Sequence, residues 1–178
     1  MSPNDMPAEP WRSFFAEVDA LLREETQLHR CGGFVVTQLY GVARSTSDVD
    51  FLGVVPNAWK ELTEIGGKGS AIHQKHKIYL DAVTVATPPE NYQERLIPLF
   101  EGVWPRLRLF ALETHDLALS KLERNLERDR DDVQRLAQAG HLNADVLRER
   151  YYHELRPNLV AHEERHDLTL RLWLESYW

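Results

Sequence analysis

The alternating stretch Asp48-Val49-Asp50-Phe51-Leu52 constrains the fold of this chain more than any other feature. In a β-strand the side-chain period is two, so Asp48 and Asp50 point from one face while Val49 and Phe51 enter the core. Two adjacent carboxylates repel each other unless a cation neutralises them. Oxygen ligands with open positions suit Mg²⁺, which keeps several waters and is completed by substrate phosphates. The stretch therefore predicts a strand that carries a metal site.

A glycine pair, Gly32-Gly33, stands before this strand and leads into a short apolar helical run from Phe34 to Tyr40. Backbone N–H groups at a tight turn leading into a helix N-terminus form an anion site. A lone glycine pair is usually a plain turn, but the Asp-x-Asp stretch that follows favours a phosphate-binding turn. Arg44 and Thr46 are further candidates for phosphate contact, because arginine forks onto phosphate oxygens. The alternative for both is a solvated loop.

A third carboxylate is expected on the segment Ile78–Ala86, which is rich in β-forming residues. An acid inside such a strand is unfavourable unless it has a partner, so Asp81 is the natural companion of Asp48 and Asp50. Its expected role is to complete the metal site and to orient or deprotonate a nucleophile that attacks there. The alternative is an acid at a strand end that pairs with a lysine.

The second informative stretch is residues 114–139, for which the apolar spacing predicts one long packed helix that stops before Gly140. Lys121 and Asp132 fall on a stripe that borders the apolar face, and Asp129 falls on the apolar side itself. Such a stripe suits the wall of a site, where the lysine supplies a point charge for a phosphate. The alternative for Lys121 is a pair within the helix.

Taken together, these patterns resemble the nucleotidyltransferase superfamily. The matching motifs are Gly-Gly-Phe, then Tyr-Gly-x-x-Arg-x-Thr-x-Asp-x-Asp, and later Asp-Leu-x-x-x-Lys followed by Arg-Asp-x-x-Asp-Val. They look most like the stand-alone bacterial type, which includes the AbiEii/MenT-type toxins and an uncharacterised sister family. The resemblance covers roughly residues 30–136. Two departures are the polar His29 and Arg30, where the family usually has apolar residues, and a shorter gap after Lys121 than in MenT-type toxins.

The resemblance implies an α/β (α+β) fold, with a small mixed-sheet nucleotidyltransferase core at 11–112 and a C-terminal helical part at 113–178 that completes the site. Residues 1–10 are expected to form a flexible arm. The implied reaction is Mg²⁺- or Mn²⁺-dependent transfer of a nucleoside monophosphate from an NTP to an acceptor hydroxyl. The metal-binding and catalytic residues would be Asp48, Asp50 and Asp81. The nucleotide-binding residues would be Gly32, Gly33, Arg44, Thr46, Lys121, Asp129 and Asp132.

The resemblance leaves the acceptor open between RNA, such as a tRNA 3′ end, and a protein. It also suggests a toxin with an antitoxin partner. Two alternatives stay open, namely a catalytically silent nucleotide sensor or scaffold and a small-molecule (antibiotic) adenylyltransferase. The sequence predicts no oligomeric state.

Composition and the remaining motifs argue against several other classes of protein. The formal charge of −7 argues against a general nucleic-acid coat protein. A single cysteine excludes an internal disulfide, and no secretion signal or membrane span is recognisable, so we expect a cytoplasmic protein. His162-Glu163-Glu164-Arg165-His166 satisfies H-E-x-x-H, but its charged interior and the absence of an evident third ligand favour a solvated surface over a zinc site.

Overall fold

Five strands form one mixed sheet in the computed structural model, which describes residues 6–40, 47–84 and 86–178. The strands are β1 (Thr26–Arg30), β2 (Asp48–Val55), β3 (Tyr79–Ala82), β4 (Ile97–Leu99) and β5 (Leu107–Ala111). Their order is β3-β2-β1-β5-β4; β1 is antiparallel to β2 and parallel to β5, β2 is parallel to β3, and β4 is antiparallel to β5. A small mixed sheet accompanied by helices confirms the predicted α/β (α+β) class.

The helices complete two compact units, one of residues 1–84 with 97–111 and one of residues 85–96 with 112–178. The first unit holds the sheet and four helices: α1 (Trp11–Leu21), α2 (Gly32–Tyr40), α3 (Trp59–Gly66) and α4 (Ala71–His76). The second holds α5 (Thr114–Leu119), α6 (Glu127–Gln138), α7 (Ala144–Arg150) and α8 (Glu163–Tyr177). A π-helical turn (Tyr151–Leu155) and a 3₁₀ turn (Arg156–Asn158) follow α7.

The core of the first unit lies between one face of the sheet and the helices α1 and α3. The apolar spacing of α1 places Phe14, Phe15 and Val18 on its buried face. The buried carboxylate of Asp19 accepts hydrogen bonds from the backbone N–H groups of Arg106 and Leu107, at 2.7 and 2.8 Å. This link fixes α1 against the start of β5. The sheet contributes Leu28, Val49, Phe51, Leu80 and Leu109, all fully or almost fully buried.

Strand β1 forms despite its polar sequence, and it buries both His29 and Arg30. The pairing of β1 with β2 shifts between these two residues, since His29 faces Gly53 while Arg30 faces Phe51. A β-bulge of this kind changes which face the following side chains occupy. It lets Val54 at one end of β2 and Phe51 nearer the other both face the core.

A buried ion-pair network holds the second unit together. Asp116, which is fully buried, accepts two hydrogen bonds from Arg95 at 2.8 and 3.0 Å and one from Arg150 at 3.0 Å. Arg150 also pairs with Glu113, which caps α5 and bonds to His115. Burial raises the pKa of Glu113, but the hydrogen bonds from His115 and Arg150 outweigh it and lower the pKa to about 2.

One predicted helix differs from the structure. The single long helix over 114–139 is wrong, because α5 ends at Leu119 and α6 begins at Glu127, with Asn125 in a left-handed backbone conformation between them. Between β3 and β5 the chain forms a 3₁₀ turn (Tyr92–Arg95) followed by β4.

Candidate metal centre

Three carboxylates of the first unit meet on the face of the sheet opposite its core. In the parallel pairing of β2 with β3, Asp50 lies beside Asp81 and Asp48 beside Tyr79. Paired residues of neighbouring strands point to the same face, so Asp48, Asp50 and Asp81 share it. One oxygen from each carboxylate lies within 4.8 Å of the other two. Strand register alone therefore assembles the predicted triad.

The three acids differ in exposure, because Asp48 and Asp50 are half-buried and Asp81 is exposed. Asp81 therefore avoids the burial penalty from which the sequence argument singled it out. The alternative, a strand-end acid paired with a lysine, is not what the described residues show, since none of their lysines forms an ion pair with Asp81. Its exposure leaves one side of the cluster open to a ligand.

Gly32 lies directly against the triad. It begins α2 with a φ of +78°, and the neighbouring Cys31 N–H donates to the Asp50 carbonyl at 3.1 Å. A β-carbon at Gly32 would lie 1.7 Å from Asp50 Oδ2. Both the positive φ and the close approach of the Asp50 carboxylate require glycine at this position. Gly33 follows in the first turn of α2 and is buried.

Arg30, which the sequence analysis regarded only as a departure from the family pattern, is the largest fully buried side chain described. Its guanidinium carbon lies 3.7 Å from the ring centroid of Phe34 and 5.1 Å from that of Phe15. Burial lowers the pKa of Arg30 to about 9, and the charge of the nearby Asp50 acts in the opposite direction. At neutral pH the side chain is therefore still positively charged behind the triad.

Lys121, Asp129 and Asp132 come together in the second unit, although not on one helix as predicted. Lys121 follows α5, and its ammonium group donates to Asp132 Oδ2 at 2.9 Å and lies 3.6 Å from Asp129 Oδ1. Arg124, which the sequence analysis missed, forms a two-pronged pair with Asp129 at 2.6 and 2.8 Å. Burial raises the pKa of Asp129, but Arg124 and Lys121 outweigh this effect and lower the pKa overall. Two cations and two carboxylates therefore meet in this part of the second unit.

Two further predicted residues and one competing motif remain. Arg44 and Thr46 lie outside the described residues. The H-E-x-x-H match does not form a helical metal site, because α8 begins at Glu163 and His162 precedes it in a left-handed backbone conformation. Among the described residues, only the aspartate triad groups enough acidic, histidine or cysteine side chains to hold a metal ion.

The donor chemistry of the triad fits Mg²⁺ or Mn²⁺. Mg²⁺ prefers oxygen ligands and is commonly held by a few carboxylates while it keeps water or substrate phosphate in its other positions. Three carboxylate oxygens within 4.8 Å of one another, with Asp81 open to solvent, meet both requirements. The residues present therefore fit the metal expected from the sequence.

A strand pair with an Asp-x-Asp stretch, a third aspartate in register on the neighbouring strand and a glycine turn against them define a nucleotidyltransferase-type core. The chain belongs to the family described as nucleotidyltransferase of unknown function (DUF6036), whose model matches residues 13–177. This membership confirms the superfamily expected from the sequence and, at that coarse level, a transferase. No curated protein and no solved structure matches the chain. No helix in the described part of the chain is long and apolar enough to cross a membrane.

Proposed function

We propose that the chain transfers a nucleoside monophosphate from an NTP to an acceptor hydroxyl, releasing pyrophosphate, with Mg²⁺ or Mn²⁺ as its cofactor. The observation that carries the proposal is the approach of one oxygen from each of Asp48, Asp50 and Asp81 to within 4.8 Å. A divalent cation bound there would neutralise phosphate charge and align the attacking and leaving oxygens.

Each residue of the first unit has a distinct task in this proposal. Asp48 and Asp50 hold the cation from the interior strand, and the exposed Asp81 completes the metal site and orients or deprotonates the acceptor hydroxyl. The backbone N–H groups at Gly32 and Gly33 bind triphosphate oxygens at the start of α2. Because Gly32 already abuts Asp50, the phosphate and the metal ligands would be fixed by the same turn.

Arg44 and Thr46 are also proposed to bind the triphosphate, because they belong to the Arg-x-Thr-x-Asp-x-Asp motif on which the family resemblance rests. Lys121 is proposed to supply a phosphate-binding charge, with Asp129 and Asp132 as its supports. In the described residues its ammonium already has two carboxylate neighbours, so binding a phosphate would require Lys121 to share or exchange one of them. The competing explanation is that these three residues only stabilise the second unit through their ion pairs.

The acceptor is proposed to be RNA, such as a tRNA 3′ end, or a protein, and the cellular role that of a cytoplasmic toxin opposed by an antitoxin. This finer proposal is supported by the resemblance of the Arg-x-Thr-x-Asp-x-Asp and Arg-Asp-x-x-Asp-Val motifs to the AbiEii/MenT-type toxins. A growth arrest on induced expression in a bacterial host, abolished by Asp48→Asn, would support the toxin role. Unimpaired growth at confirmed expression would contradict it in that host.

The reaction is tested by incubating the purified chain with each α-³²P-labelled NTP, Mg²⁺, and either total tRNA or total bacterial protein. The site variant is Asp48→Asn, and the matched control is Asp145→Asn, which alters an exposed aspartate on α7. We expect label to move onto one acceptor class with the wild type and the control, and not with the site variant.

The pattern of labelling separates the alternatives. Label on RNA or protein identifies the acceptor class, whereas label on neither, with Mg²⁺-dependent NTP binding intact, favours a small-molecule acceptor or a silent sensor. Equal transfer by Asp48→Asn would exclude the triad as the catalytic site.

A further inference from the structure

Arg30 is a buried charge that the proposed reaction does not use. It is fully buried, and none of its three guanidinium nitrogens has a hydrogen-bond partner among the residues that the structure describes. An unpartnered guanidinium in a protein interior is strongly unfavourable, and buried arginines are normally paired. Since no residue in the described part of the chain hydrogen-bonds to the Arg30 guanidinium, its charge requires another source of stabilisation.

The two rings beside Arg30 provide part of that stabilisation. Phe34 lies at cation–π distance, with 3.7 Å from the guanidinium carbon to its ring centroid, and Phe15 lies at 5.1 Å. Phe34 is in the first turns of α2, immediately after the glycine pair. The rings therefore hold the guanidinium at the base of the turn that contacts the triad.

The carboxylate of Asp50 provides a further part. Arg30 pairs in register with Phe51, so it lies on the core face of the sheet, directly behind the strand that carries Asp48 and Asp50. After burial, the negative charge of Asp50 is the largest influence on the pKa of Arg30, and it favours the charged form. Three carboxylates with one bound divalent cation would leave one net negative charge, which the positive charge of Arg30 on the other face of the sheet would balance.

We propose that Arg30 is a positioning residue whose fixed positive charge makes the carboxylate triad hold a divalent cation weakly by itself and firmly only together with a triphosphate. This inference rests on the proposed function of the triad. A positive charge behind the site repels a free cation and attracts the polyanionic triphosphate. Removing it should therefore move the two affinities in opposite directions, which a change in packing would not do.

The test compares wild type, Arg30→Met, Arg30→Lys and Arg108→Met. Arg108 provides the matched control because it lies in the same sheet, on β5, is partly exposed and pairs with Glu25 instead of the triad. Mn²⁺ binding is followed by the loss of the electron-paramagnetic-resonance signal of free Mn²⁺. Binding of inorganic triphosphate is then measured by calorimetry at a fixed free Mn²⁺ concentration, so that no base preference enters.

We expect Arg30→Met to bind Mn²⁺ more tightly by about tenfold and triphosphate more weakly by about tenfold or more, because a protein interior screens a unit charge only partly and the effect grows with the charge of the ligand. Arg30→Lys and Arg108→Met should resemble the wild type in both titrations. Arg30→Met should fold, because an apolar side chain of similar length is often neutral or stabilising in place of a buried charge. If it does not fold, Arg30→Gln removes the same charge and must differ from Arg30→Lys in the same two directions.

Unchanged affinities in Arg30→Met, or two affinities that move in the same direction, would overturn the inference while leaving the metal site intact. If the wild type shows no Mn²⁺ binding in the presence of saturating triphosphate, or if Asp48→Asn does not weaken that binding, both the site and the inference would be overturned. The two failures are therefore distinguishable.

Discussion

Substituting Gly32 by alanine tests how closely the glycine turn determines the triad. The added β-carbon would lie 1.7 Å from Asp50 Oδ2 and 2.5 Å from Asp50 Cγ, whereas real β-carbons essentially never approach another atom within 3.0 Å. The carboxylate oxygen must therefore retreat by at least 3.0 − 1.7 = 1.3 Å. Metal–ligand distances tolerate changes of only about 0.2 Å. The displaced Asp50 should no longer serve as a ligand.

Gly69 offers a matched control for backbone strain. It has a φ of +93°, close to the +78° of Gly32, but a β-carbon at Gly69 would meet nothing within 4 Å. Alanine at either position pays about 1–2 kcal/mol for the left-handed conformation. At about 2–4 °C per kcal/mol, both variants should lose a few degrees of melting temperature. Only Gly32→Ala also displaces a metal ligand.

Mn²⁺ titration and thermal unfolding of both variants provide the assay. We expect Gly69→Ala to bind Mn²⁺ like the wild type, and Gly32→Ala to lose nucleotidyl transfer by about a hundredfold or more, the usual effect of a misplacement near 1 Å. Gly32→Ala with unimpaired Mn²⁺ binding would refute the reasoning, because it would show that Asp50 can move aside without loss of the site.

Three further predictions concern stability. Asp19→Asn should lower the free energy of unfolding by about 1–3 kcal/mol in urea titrations, since the amide replaces a carboxylate that accepts two buried backbone N–H groups; an unchanged midpoint would contradict this. Lys121→Met should destabilise by about 3–5 kcal/mol because it leaves two buried carboxylates without their shared cation, whereas Lys60→Met, at an exposed i,i+4 pair, should change stability by about 0.5 kcal/mol or less. The ionised Glu113 contributes its full stabilisation above about pH 4.5, and this contribution is lost as the pH falls toward 2. The free energy of unfolding of the wild type should therefore fall more steeply than that of Glu113→Gln across this pH range. Parallel curves of unfolding free energy against pH would contradict this prediction.

The alternation in β2 predicted the triad because strand geometry leaves little freedom. Asp48 and Asp50 are two residues apart, and a parallel neighbour in register then places one acid beside them. The position of Asp81 within a strand-forming segment indicated that it was this acid, and the structure brings it to the others. Its exposure could not be deduced, since exposure depends on what covers β3 and not on the composition of the strand.

The long helix at 114–139 failed because helical periodicity continued across a break. Lys121 and Asp132 are eleven residues apart and share a helical stripe, yet a turn with Asn125 at a φ of 45° separates α5 from α6. The same two residues still meet, through a hydrogen bond of 2.9 Å. Asp129 accounts for the break, because its side chain accepts from the Leu126 N–H and so caps α6. An acid three residues after a leucine is a weak signal, and the stronger apolar period concealed it.

The burial of Arg30 at the polar end of β1 could not be predicted from the spacing of apolar residues. By the alternation rule, His29 and Arg30 should point to opposite faces of the sheet, and yet both are buried. A fully buried arginine is rare in folded proteins. The aromatic residues that surround it, Phe15 and Phe34, are distributed between α1 and α2, so their common location appears only in the folded chain. A departure from a family pattern next to a charged site is therefore better treated as a candidate electrostatic partner of that site than as a weak strand residue. In this chain the departure lies two residues before the glycine pair and on the opposite face of the sheet from Asp48 and Asp50, and this placement is what the proposed electrostatic role of Arg30 rests on.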